Sequence, residues 1–153
     1  MITKKQVLKA QKNWGNAIVE IGRLRKNRSA CEEAANSAIN TLYAFDTVKV
    51  LFKPTKASDI PFRLTKEGAI SYFIGSNVQY PEDKGFALQP WMKVRFDNAA
   101  IILKERRAFA VGNYYFMDAT GNEIKVEYTF SYIQNEKGDL QIEVHHSSFP
   151  YAN

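Results

Sequence analysis

Residues 125–148 read KVEYTFSYIQNEKGDLQIEVHHSS, and this stretch decides the fold. Polar and apolar side chains alternate on either side of Asn135-Glu136-Lys137-Gly138-Asp139, a short glycine-containing turn. This pattern predicts two antiparallel strands, Lys125–Asn135 and Leu140–Ser148. Successive side chains of a strand leave opposite faces. In the first strand Val126, Tyr128, Phe130 and Tyr132 oppose Lys125, Glu127, Thr129 and Ser131, so one face is an aromatic wall. In the second, strict alternation groups Ile142, Val144, His146 and Ser148 against Gln141, Glu143, His145 and Ser147. His146 and Ser148 are therefore expected to point inward. His145 and Ser147 are expected outside with Thr129 and Ser131, on a sheet face suited to a homodimer. Adjacent histidines on opposite faces cannot chelate one metal ion, and only a β-bulge would break that parity.

Working upstream, short runs rich in β-branched and aromatic residues predict further strands at Val48–Phe52, Ala69–Ile74, Trp91–Phe96, Ala99–Lys104 and Ala108–Met117. Asp118-Ala119-Thr120-Gly121-Asn122 turns the chain into the pair already described, extending it to an antiparallel meander. The first third has a different period. Val7, Ala10, Trp14, Ala17, Ile18, Ile21 and Leu24 recur at three- and four-residue steps, the pattern of an amphipathic helix. Thr3 with Gln6, and Ser29 with Glu32, have capping-box spacing, so a second helix is expected from Ser29 to about Tyr43–Asp46. Helices first and antiparallel strands afterwards define an α+β fold, with helices packed on one face of a curved sheet.

The chain has 153 residues, of which 45% are hydrophobic, enough for one domain spanning 1–153 with one core. Its only cysteine is Cys31 and its only histidines are His145 and His146, so a zinc site of three or four His/Cys ligands is out of reach without carboxylates. Cys31 lies beside Glu32 and Glu33 and reads as structural. There is no apolar run of signal-peptide length near the start and no stretch of ~18 apolar residues, so a cytoplasmic protein without a membrane association is expected. The net charge is +5, but Arg23, Arg25, Lys26 and Arg28 fall at a helix C-terminus, where the macrodipole favours cations; nucleic acid is not an expected partner. Phosphate-cradling glycine loops, nucleophile elbows and zinc-protease helices are absent from the sequence. On the strand expected at Ala69–Ile74, Tyr72 shares a face with Ile70 and Ile74 and points to the core. Thr55 aligns with Lys49 and Lys53, and Pro54 marks the end of its strand.

Five motifs then point to a family. They are Val50-Leu51-Phe52-Lys53-Pro54-Thr55, Gly68-Ala69-Ile70-Ser71-Tyr72-Phe73-Ile74-Gly75, Phe86-Ala87-Leu88-Gln89-Pro90-Trp91, Ala110-Val111-Gly112-Asn113-Tyr114-Tyr115-Phe116 and His145-His146-Ser147-Ser148-Phe149-Pro150. Together they resemble the iota-class carbonic anhydrases in their short, single-domain cyanobacterial form. The resemblance implies a cone-shaped nuclear-transport-factor-like fold, with the N-terminal helices on the concave side of the sheet. It further implies reversible hydration of CO2 to bicarbonate, with Thr55, Tyr72 and Ser148 as the substrate-contacting hydroxyls and His146 beside them. Tyr72, or water polarised by it, would assist proton movement, and His146 is a second acid/base candidate. Given the scarcity of ligands, no metal and no cofactor are expected. A non-catalytic small-molecule-binding or protein-association domain of the same fold is the competing reading.

Overall fold

A computed structural model describes residues 1–153. In chain order it comprises α1 (Lys4–Arg23), α2 (Arg28–Leu42), β1 (Leu51–Lys53), α3 (Lys66–Ile74), a 3-10 turn (Phe86–Leu88), β2 (Lys93–Leu103), β3 (Arg107–Met117), β4 (Glu123–Gln134) and β5 (Leu140–Ser148). Helix α1 begins with the expected capping box: Gln6 N donates to Thr3 Oγ1 at 3.2 Å and Thr3 N to Gln6 Oε1 at 2.8 Å. Its apolar stripe, Val7, Trp14, Ile18 and Ile21, is fully buried, each side chain contributing about 1.5–3 kcal/mol. For α2 the expected cap is corrected. Asn27, not Ser29, accepts from Ala30 N at 3.1 Å, because an Asn carboxamide at this position satisfies the first turn two residues earlier. The basic cluster beside it is engaged within the fold. Arg28 donates to the carbonyls of Ile74 and Gly75 and pairs with Glu32, while Arg23 pairs with Glu20.

The sheet order is β1-β5-β4-β3-β2. Strands β2 to β5 form the antiparallel meander, and β1 joins its edge in parallel, Phe52 aligning with His145. The two strands expected at Trp91–Phe96 and Ala99–Lys104 are one strand, β2, bent by an irregularity between Asn98 and Ala100. The bend is tied down by a buried polar set: Gln11 and Asn98 exchange two side-chain hydrogen bonds, and Tyr128 donates to Asn98 Oδ1 at 2.6 Å. Inward-facing Ala110, Tyr114, Phe116, Val126, Tyr128, Phe130 and Tyr132 line the concave side, and α1 lays Trp14 across them.

The strand expected at Ala69–Ile74 is a helix, α3. Thr65 caps it by accepting from Gly68 N at 3.1 Å, and Gly75 closes it at a positive φ of 64°. Gly68, Ala69, Ser71, Tyr72, Phe73 and Ile74 are all buried, so the segment is apolar nearly all round and shows no helical stripe. Ion pairing holds its far side. Arg63 is wholly buried and grips Asp83 through two bonds of 2.6 and 2.7 Å, while Ser71 donates to the same carboxylate. Beside it Glu82 accepts from the amides of Ser58, Asp59 and Ile60. Those amide bonds, with Arg63 nearby, lower the Glu82 pKa from 4.5 to about 2. A carboxylate depressed on folding stabilises the protein above its unfolded pKa, and that stabilisation is lost as pH falls from about 4.5 towards 2. Urea titrations across this range should therefore show a shallower acid loss for Glu82→Gln than for the parent. Identical slopes would mean that Glu82 does not couple to folding.

Candidate active site

Four elements converge on one small pocket. Thr55 follows Pro54 just beyond the end of β1, Tyr72 comes from α3, Tyr114 from β3 and Ser147 from the end of β5. Trp14, Phe52, Phe73 and Phe86 complete an aromatic lining around a cavity of about 10 Å³. That is far below the roughly 300–1,000 Å³ of sites for drug-sized molecules and is about the space of one water-sized group. The hydroxyls of Thr55 and Ser147 lie 2.6 Å apart, and Tyr114 donates to Ser147 Oγ. The Tyr72 hydroxyl accepts from Lys56 N at 3.1 Å, so its own proton is free to face the pocket. Lys53 Nζ donates to the Ser147 carbonyl at 2.8 Å and fixes the end of β5 from outside.

Behind the hydroxyls sits His145, stacked between Phe130 at 4.1 Å and Phe52 at 4.8 Å. Its Nδ1 is 2.8 Å from the Tyr43 hydroxyl and its Nε2 is 3.0 Å from that of Tyr114. Burial pushes its pKa well down, with His146 adding a smaller effect of the same sign, so the ring is neutral. Burial pushes Tyr43, Tyr72 and Tyr114 up; at Tyr72 this outweighs the hydrogen bonds from Lys56 and Thr55. The site is thus a set of protonated hydroxyls around a neutral imidazole. It offers hydrogen-bond donors and acceptors without formal charge.

The structure brings Thr55 and Tyr72 to this pocket, but not Ser148 or His146. The expectation that His146 and Ser148 point inward is corrected: His146 is exposed, Ser148 is half-buried, and His145 and Ser147 are the buried pair, at 2% and 1% exposure. The cause is a β-bulge. Ser131 aligns with Val144 while Tyr132 aligns with Ile142, which leaves Glu143 as an extra residue and flips every later side chain. Glu143 turns outward and binds Arg107 through bonds of 2.9 and 3.3 Å. Alternation alone missed His145, Ser147, Tyr114, Tyr43 and Trp14. One usable signal lay in β1, whose buried Phe52 aligns with His145 and so shares its face. His145 has both ring nitrogens bonded to tyrosines, and no group of three or more His, Cys, Asp or Glu side chains is arranged to hold a metal ion.

A cone of sheet and helices closing on uncharged hydroxyls and a buried imidazole defines a nuclear-transport-factor-like fold with a small, uncharged polar pocket. Comparison with known proteins narrows the class. Residues 5–149 match the model of a family described as metal-independent carbonic anhydrase. A metal-independent carbonic anhydrase from Nostoc sp. strain PCC 7120 is 41% identical over 153 residues, covering 98% of this chain and 75% of that protein. The crystal structure of a cyanobacterial iota-carbonic anhydrase complexed with bicarbonate superposes with a TM-score of 0.96 at 40% identity, covering 99% of this chain and 94% of that one. A protein of the NTF2-like family from Streptomyces avermitilis shares the fold alone, with a TM-score of 0.56 at 14% identity over 97% of this chain and 96% of its own. The chain belongs to the metal-independent carbonic anhydrase family and has the α+β cone fold expected of it.

Proposed function

We propose that Thr55, Tyr72 and Ser147 hold CO2 and bicarbonate during reversible hydration, the activity of the family. The observation that carries this assignment is their convergence, with 2.6 Å between Thr55 and Ser147, on one aromatic-lined pocket. A bicarbonate-bound relative of the same shape supports it. Phe52, Phe73 and Phe86 give the apolar gas a surface it can enter without displacing firmly held water. Attack by a water oxygen forms the new C–O bond, moves a C=O electron pair onto oxygen and releases a proton to solvent. The hydroxyl donors of Thr55 and Tyr72 stabilise the charge developing on that oxygen. His145, held neutral between two tyrosines, orients the hydroxyls. His146 lies on the other face and is not proposed as an acid or base.

Stopped-flow CO2 hydration in chelator-treated buffer tests the reading. A protein-dependent rate that zinc does not raise is expected. A rate that appears only on adding zinc or manganese, or no rate at all, would overturn it.

Two further proposals concern the setting of the enzyme. The outer sheet face carries a row of Ile102, Phe109, Val144 and Leu51, apolar except for the buried Ser131 at its centre. Ile102 and Leu51 are half exposed, and His146 and Thr129 lie in the neighbouring row. This face supports a homodimer; sedimentation should give twice the monomer mass, whereas a monomer at micromolar concentration would exclude it. A cytoplasmic location accords with a single buried free thiol at Cys31, which requires no oxidising compartment. Recovery in a membrane or periplasmic fraction would contradict it. No helix is long and apolar enough to cross a membrane.

A further inference from the structure

We infer that the indole N–H of Trp14 sets the direction of the buried hydrogen-bond chain and so makes the Thr55 hydroxyl a donor toward the pocket, which makes Trp14 a positioning residue for the reaction. The chain is continuous: Trp14 Nε1 to Tyr43 OH at 3.0 Å, Tyr43 OH to His145 Nδ1 at 2.8 Å, His145 Nε2 to Tyr114 OH at 3.0 Å, then Ser147 Oγ and Thr55 Oγ1. Every inner member can donate or accept, so two directions are possible in principle. Trp14 removes the ambiguity, because an indole nitrogen only donates.

With Tyr43 accepting from Trp14, its own proton can go only to His145 Nδ1. The Nε2–H then donates to Tyr114, Tyr114 to Ser147, and Ser147 to Thr55, whose proton is left for the pocket. In the opposite direction Nδ1 carries the hydrogen, and Tyr43 is flanked by two donors. Its proton then has no acceptor at a residue that is 2% exposed, an arrangement that buried polar groups avoid. That direction would also turn oxygen lone pairs of Thr55 toward the oxygens of bicarbonate. The chain ends at an indole with no second position to take a proton from, so it orients hydroxyls and does not conduct protons outward.

The direction of the chain stands on geometry alone, while its use in catalysis rests on the role proposed for Thr55 and Ser147. Nitrogen-15 NMR of the histidine-labelled full chain reads the tautomer, with His145 assigned by comparison with His146→Gln. The expected result is hydrogen on Nε2 and a bare Nδ1. Site-specific replacement of Trp14 by β-(3-benzothienyl)alanine keeps the ring shape and exchanges N–H for sulfur, whereas Trp14→Phe also leaves a void. With the sulfur analogue the Nδ1–H form should appear. At equal populations the CO2 hydration rate should fall at least about twofold. An Nδ1–H tautomer in the native chain, or a tautomer unmoved by the analogue, would overturn the inference. A shifted tautomer with an unchanged rate would overturn its catalytic use. A chain that shifts as expected but never hydrates CO2 would leave the direction set by Trp14 standing and refute the proposed role of the pocket.

Discussion

Ser147→Ala should lower kcat/KM for CO2 hydration by about 10²- to 10³-fold, because the Thr55 hydroxyl then loses the partner that turns its proton toward the charge developing on oxygen. Ser148→Ala should leave it within about twofold, as for a partly exposed residue outside the site. The contrast follows from one bulge residue. Ser147 is 1% exposed and bonded to both Thr55 and Tyr114, whereas Ser148 projects from the other face of β5. Removing the Ser147 hydroxyl leaves Tyr114 without its acceptor, so a stability loss of about 1–3 kcal/mol is expected alongside. Thermal melting separates the two effects: the rate should collapse at temperatures where the variant is still folded. A large loss in Ser148→Ala with an unaffected Ser147→Ala would show that β5 has the other register in solution.

Arg63→Met should destabilise the fold by about 3–5 kcal/mol, read by urea denaturation. Arg63 has no exposed surface and holds Asp83, itself 1% exposed, together with the carbonyls of Ile60 and Gly68. Its removal leaves a buried carboxylate without a counter-ion and takes a donor from each of the two carbonyls. The cost is the unpaired charge and not the lost attraction, so adding Asp83→Leu to Arg63→Met should restore part of the stability. A single-variant loss below about 1 kcal/mol would mean that water reaches Asp83 freely. Because Asp83 binds Ser71, the neighbour of Tyr72 on α3, the single variant should also lose activity before it unfolds globally.

The meander and α1 were legible because each has one wet and one dry face, which writes a period into the residues. Where a segment is buried on every side that period vanishes. Helix α3 therefore read as a strand, its aromatic and β-branched content matching both structures. The pocket was half legible. Tyr72 and Thr55 came from a resemblance that did not depend on knowing their secondary structure. His145 and Ser147 were hidden because the alternation rule carries no memory of an inserted residue. Nothing local in Gln141-Ile142-Glu143-Val144 announces the bulge, whose partners Arg107 and Ser131 lie far away in the chain. Trp14 was visible as an apolar helix residue, but its N–H acquires meaning only beside Tyr43, 29 positions on.

The parallel docking of β1 against β5 has a consequence for how the enzyme comes into being. It places the ends of both strands side by side, so Thr55 and Ser147 meet although 92 positions separate them. Closing so long a loop is entropically the late event in assembling such a sheet. Partly folded chains can have helices, meander turns and a collapsed interior while still lacking two of the three substrate hydroxyls in register. Turnover during refolding should consequently lag behind the recovery of helical circular dichroism, and it reports the last seam of the molecule to close.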